Sequence, residues 1–205
     1  MGKRSNFIKV PKDLYRTIDP RACPPVLPFV LSEGIRRFIE PCYGYGDLPG
    51  PFLRAGLDCV GRYDVAPRST RVIDPVVPLD GRELTAAHLN GADAIITNPP
   101  WTRDLLHALI ARWVPLSVCW LLFDAAWKHT GQAVELMRAY CTDFVPCPRL
   151  IWIPGTTQAS KDDCGWYRFD RAKSPRQATK FWPLGQGPYV RLISGKNSMG
   201  YAACQ

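Results

Sequence analysis

The chain has 205 residues, 46% of them hydrophobic, and a formal net charge of +8. That length suffices for one domain with a sizeable core, and the apolar content excludes wholesale disorder. No apolar run reaches the roughly 18 residues of a membrane span and no signal-peptide pattern opens the chain, so a cytoplasmic protein without a membrane partner is expected. Residues 1–37 carry eight Lys/Arg against three Asp/Glu, as do residues 155–205, while residues 38–154 hold ten against twelve. Basic flanks around a near-neutral middle point to a polyanionic partner. The eight cysteines contain no Cys-x-x-Cys pair and read as reduced thiols, several of them buried. The spacing of Cys141, Cys147 and Cys164 argues against zinc, and no metal is expected.

In chain order, a polar stretch containing Tyr15 and Thr17 comes first. Pro24 and Pro25 suit the first turn of a short helix, with Pro28 placed where it would distort that helix. Residues 37–40 read as the first strand, ending in Glu40-Pro41-Cys42-Tyr43-Gly44-Tyr45-Gly46-Asp47. An acid followed by a Gly-x-Gly turn permits close backbone approach to a ligand at a strand's carboxyl end. There is no Gly-Lys-Ser/Thr continuation and no third glycine, so neither a P-loop nor a dinucleotide fingerprint is present. Residues 51–56 make a short helix with a glycine stop. Residues 57–64 form a second strand ending in Asp64, about 20 residues beyond the glycine turn, where an acid can bind ribose hydroxyls. The turn-rich stretch 66–82 contains one short strand around 71–73, and residues 83–89 form a brief helix.

Ala94 to Thr97 then reads as a strand buried on both faces, running into Asn98-Pro99-Pro100-Trp101. Two prolines cannot donate to a sheet ladder, so the strand stops at Asn98 and leaves an amide beside an indole on a stiff turn. Leu105, Leu106, Leu109, Ile110 and Trp113 follow at helical spacing. Residues 118–123 form a fifth, buried strand, with Asp124 and Trp127 at its tip available to line a site; His129 is a loop residue. Residues 131–140 are helical, and 150–153 and 166–170 read as a strand pair. The tail beyond 170 is basic with interleaved aromatics.

Asn98-Pro99-Pro100-Trp101 resembles the Asn/Asp-Pro-Pro-aromatic motif of class I S-adenosylmethionine-dependent methyltransferases that modify amino or amide nitrogens, in particular small phage and bacterial DNA adenine methyltransferases. Glu40-Pro-x-x-Gly44-x-Gly46 resembles their cofactor loop. The likeness covers roughly residues 12–170, with the loop preceding the Asn-Pro-Pro-Trp motif as in one permuted class. It implies a doubly wound α/β fold, a mostly parallel seven-stranded sheet with an antiparallel last strand. A single domain would span 1–205, with a basic segment 1–37, a core 38–170, a basic tail 171–205 and no separate target-recognition domain.

By that resemblance S-adenosylmethionine is the cofactor. Glu40 faces its ammonium, Tyr15 and Thr17 help hold the methionine end, Cys42, Gly44 and Gly46 lie against it, and Asp64 binds the ribose. Asp80, with Asp74 as rival, meets the adenine amino group. Asn98, Pro99, Pro100 and Trp101 are the catalytic set, and Asn98 also borders the cofactor. The Asn98 oxygen and the Pro99 carbonyl accept the two N–H bonds of an exocyclic amine and free its lone pair, while Trp101 stacks on an extruded base. Trp101, Asp124, Trp127, Arg171, Lys173 and Arg176 are the expected substrate contacts, the last three gripping phosphates. DNA is the expected partner; RNA, a protein glutamine, or a catalytically silent nucleic-acid-binding relative are the alternatives.

Overall fold

The structure is a computed structural model that describes residues 16–68, 75–174 and 176–185. Tyr15, Asp74 and the strand expected around 71–73 lie outside the described residues. The strands are β1 (Arg37–Glu40), β2 (Asp58–Asp64), β3 (Val77–Pro78), β4 (Ala94–Thr97), β5 (Val118–Asp124), β6 (Cys141–Pro146), β7 (Cys164–Phe169) and β8 (Lys180–Phe181). They form one sheet in the order β3-β2-β1-β4-β5-β7-β6-β8. Neighbours from β3 through β5 are parallel, β7 runs antiparallel to both β5 and β6, and β8 lies parallel to β6. The order 3-2-1-4-5 is that of doubly wound nucleotide-binding sheets, whose ligands sit where the order reverses, here between β1 and β4. The antiparallel β7 follows the parallel part of this Rossmann-like sheet, with β8 as an eighth strand beyond the seven expected.

Both faces are covered, which is why β4 is buried at all four positions. Alternate residues of each strand enter different cores. Phe38, Ile96, Trp120, Leu122 and Trp166 join one; Ile39, Ile95, Leu121, Phe123 and Tyr167 join the other. Helices α1 (Leu27–Ser32) and α2 (Pro49–Arg54) contribute to the first, and α3 (Arg103–Trp113) and α4 (Val134–Tyr140) to the second. Pro28 distorts nothing, because α1 starts at Leu27 and the proline falls in its first turn, where no N–H partner is needed.

Two local expectations fail. The helix expected over 83–89 is two 3-10 turns, Gly81–Glu83 and Ala86–Leu89. Residues 150–153 are not a strand; β7 pairs instead with β6. Leu150 and Trp152 are apolar because they join the first core, together with Ala22, Cys23 and Val26, and Ile151 donates its N–H to Asp19 instead of to a ladder. No helix among the described residues is long and apolar enough to cross a membrane.

Candidate active site

Four parallel strands end on one edge of the sheet, and each carries a polar residue at or just beyond its tip: Glu40 on β1, Asp64 on β2, Asp80 after β3 and Asn98 after β4. They line a single cavity of about 340 Å³, together with Thr17, Cys42, Gly44 and Pro100. This volume lies in the range of small-molecule sites, roughly 300–1,000 Å³.

Glu40 is 1% exposed, and its Oε2 has no hydrogen-bond partner among the described residues. Burial, then the nearby charges of Asp64 and Asp47, push its carboxyl well above the usual glutamate range. A buried carboxylate oxygen without a partner is costly to leave alone and suits a cationic ligand group. Gly44 follows with φ of +52°, and a Cβ built on it would meet nothing within 4 Å, so its backbone borders open space. Gly46 has φ of +77°, and a Cβ there would come within 2.6 Å of the Tyr43 ring. Gly46 does not line the main cavity; it closes the turn through its N–H to the Tyr43 carbonyl and borders a smaller hollow beside Thr17 and Asp47.

Asp64 accepts the N–H of Gly44 at 2.7 Å and that of Ala66 at 2.8 Å. One lone pair on each oxygen remains for a ligand. Asp80 caps the turn at Gly81 and is held below the usual aspartate range by Arg82. The half-buried Cys42 thiol is pushed up by burial and by the Asp64 and Glu40 charges, which disfavours the thiolate a nucleophile would need.

Sequence reasoning missed part of the wall. Leu105 and Leu109 of α3 and Val65 give it apolar surface. Arg16 forms a two-point ion pair with Asp47, at 2.7 and 2.8 Å, and its guanidinium lies 4.4 Å from the Tyr45 ring centroid. No local pattern could have revealed that pair, whose members are 31 residues apart.

The Asn98 amide is held at both ends. Its Nδ2 donates to Thr17 Oγ1 at 3.0 Å, and its Oδ1 accepts from the Trp101 indole Nε1 at 2.9 Å. Trp101 does not line the cavity; it packs edge-on against Trp152, with centroids 5.4 Å apart. Pro99 is buried beside it.

The structure does not bring the remaining expected substrate contacts together with this cavity. Trp127 is 3% exposed, donates to His107 and packs on Phe123 and Tyr167, so it belongs to the core. Asp124 caps the turn after β5 through the Ala126 N–H. Arg171, Lys173 and Arg176 follow β7, and an antiparallel strand delivers its end to the edge opposite the cavity. Accordingly Arg171 bonds the Pro115 carbonyl, just before β5 begins, and the Lys173 ammonium bonds the Met137 and Arg138 carbonyls near the end of α4. Their expected grip on phosphates near the pocket is therefore not supported by the geometry. Among the described residues no group of three or more His, Cys, Asp or Glu could hold a metal.

No family model matches the chain, and no curated protein matches it in sequence. Among solved structures, Thermoplasma acidophilum protein 1320 superimposes with a TM-score of 0.51 at 16% identity, covering 72% of this chain and 87% of that one. A Pyrococcus horikoshii protein described as a candidate RNA methyltransferase, PH1948, gives 0.45 at 15%, covering 69% and 79%. A candidate methyltransferase from Thermoplasma acidophilum gives 0.41 at 11%, covering 71% of each. At these identities the likeness concerns the fold alone.

Proposed function

We propose that this chain is an S-adenosylmethionine-dependent methyltransferase that acts on the exocyclic amino group of a base in DNA, adenine N6 in particular. The observation carrying this reading is one cavity lined both by a buried carboxylate oxygen without a partner among the described residues and by an amide held at both ends. When bound, the cofactor supplies a methyl group on a sulfonium, an electrophile that needs no further activation. Glu40 would balance its ammonium, and the bare Cα of Gly44 would let the backbone approach. Asp64 would take the ribose hydroxyls on its remaining lone pairs, and Asp80 the adenine amino group, with Leu105, Leu109 and Val65 against the ring.

An exocyclic amine on a base is a poor nucleophile because its lone pair is delocalised into the ring. The second lone pair of Asn98 Oδ1 and the Pro99 carbonyl would accept its two N–H bonds and turn the nitrogen towards tetrahedral geometry. Its freed lone pair would then face the methyl group that the cofactor supplies, with Asn98 and Pro99 holding the nitrogen in place and water taking the proton it gives up. Asn98 and Pro99 would contribute fixed dipoles facing the developing positive charge.

The test uses cofactor labelled in the methyl group, offered with unmodified genomic DNA, total RNA or a cell protein extract. Label should enter DNA and be recovered as N6-methyladenine. Asn98→Ala should lower turnover at least about a hundredfold, as for one preorganised contact, with cofactor affinity little changed. Label in RNA or in glutamine would replace the acceptor, and cofactor binding without any transfer would mark a catalytically silent relative.

A further inference from the structure

Resting on that reading, we propose that Trp101 serves the reaction through its indole N–H, as a positioning residue that sets which end of the Asn98 amide faces the acceptor. A side-chain amide can turn over and exchange its oxygen for its NH2 group, and the exchange matters here. The oxygen accepts a substrate N–H, whereas the NH2 group would repel it.

Of the two partners that Asn98 has among the described residues, Thr17 cannot enforce the choice, because a hydroxyl both donates and accepts. The indole Nε1 is a donor only, so the atom it meets at 2.9 Å must be the oxygen. That oxygen carries two lone pairs; the indole takes one and leaves one for the amine.

Trp101 is itself held. Its Nε1 also reaches the Leu122 carbonyl at 3.3 Å, on β5, the neighbour of β4. Its ring meets Trp152 edge-on at an interplanar angle of 85°, and it packs against both hydrophobic cores. The stiff Pro99-Pro100 turn joins it to Asn98, so donor and acceptor are fixed relative to each other. This differs from the role the motif suggests by itself, in which the aromatic acts only through its face.

The experiment separates face from N–H. Trp101→Phe keeps an aromatic face and removes the donor. It should lower kcat on unmodified genomic DNA about tenfold, as for one lost hydrogen bond, while KM for DNA and the cofactor Kd stay within about twofold. In an Asn98→Asp background the penalty should shrink to about twofold or less, because a carboxylate is an acceptor at both ends and has no wrong orientation. A purely structural tryptophan would cost the same in both backgrounds. The indole 15N–1H resonance of Trp101 should also shift in Asn98→Ala, a reading that needs no acceptor and stands even if the Phe variant folds poorly.

An unchanged kcat in Trp101→Phe, an equal penalty in both backgrounds, or an indole resonance indifferent to Asn98→Ala would overturn the positioning role while leaving methyl transfer intact. A wild-type protein that labels no DNA would overturn methyl transfer to DNA itself.

Discussion

The Asp64 carboxylate accepts the backbone N–H of Gly44 at 2.7 Å, which ties the tip of β2 to the glycine turn after β1 across 20 residues of sequence. One acid thus shapes the loop and faces the cavity. Asp64→Ala removes both functions. Cofactor affinity should fall at least tenfold, since each charge-assisted hydrogen bond is worth roughly 1.5–3 kcal/mol, and thermal stability should fall with it. Asp64→Asn keeps an acceptor for Gly44 and should recover most of the stability and little of the affinity. Calorimetry with S-adenosylhomocysteine and thermal melts read the two effects separately; equal recovery of both would show that Asp64 is only a loop tie.

Glu40 should display a conflict between stability and binding. Its carboxyl is raised on folding, so its contribution is fully present below the ordinary glutamate pKa and is lost as pH rises through the raised value. The melting temperature of Glu40→Gln relative to wild type should therefore climb with pH. A ligand ammonium favours the ionised form, so cofactor binding should release a proton from the wild type. Titrations in buffers of different ionisation enthalpy would detect that release, and Glu40→Gln should lack it. A difference in melting temperature that stays flat with pH would contradict a raised Glu40.

Two residues that the sequence suggested for substrate contact should instead behave as stability residues. Trp127→Ala empties a core site beside Phe123 and Tyr167 and strands His107, at a cost of about 3–5 kcal/mol. Lys173→Ala leaves two carbonyls near the end of α4 without their cation, at a cost of about 1–2 kcal/mol. Chemical denaturation would measure both. DNA affinity per folded molecule should not change, and a selective loss of binding without destabilisation would return Lys173 to the substrate surface.

If DNA lies across the cavity edge, its salt dependence should come from basic residues on that edge. Arg103 opens α3 directly after the Asn-Pro-Pro-Trp turn and is exposed, and Arg149 lies between β6 and β7 on the same edge. Arg103→Gln with Arg149→Gln should reduce the slope of log K against log salt by up to about two, roughly one per phosphate contact. Arg171→Gln with Arg176→Gln, on the opposite edge, should leave it unchanged. The reverse pattern, or binding indifferent to salt, would point away from DNA across this edge.

Some of the site was legible without tertiary information because its causes are local. Pro99 and Pro100 end β4 whatever surrounds them, since neither has an N–H for the ladder. Gly44 and Gly46 adopt positive φ in a turn that disfavours other residues, and an acid ends β1 and β2 just where a parallel sheet opens to ligands. Alternation and continuous apolar runs likewise marked β1, β2, β4, β5 and the face of α3. The run at 150–153 misled for the same reason, because apolar character reports burial and not the ladder.

What the sequence determined by itself was therefore the chemistry available at each strand tip. Only the tertiary structure decided which side chains share a space. The antiparallel course of β7, set by pairings such as Cys119 with Phe169, sends Arg171 and Lys173 to the edge away from the cavity. A bond from Trp127 to His107, 20 residues away, turns that indole inward. The short-range bond from Trp101 to Asn98 depends equally on β5 and Trp152 to hold the ring. Strand direction and side-chain hydrogen bonds are outcomes of long-range pairing, and residue type and local spacing do not encode them.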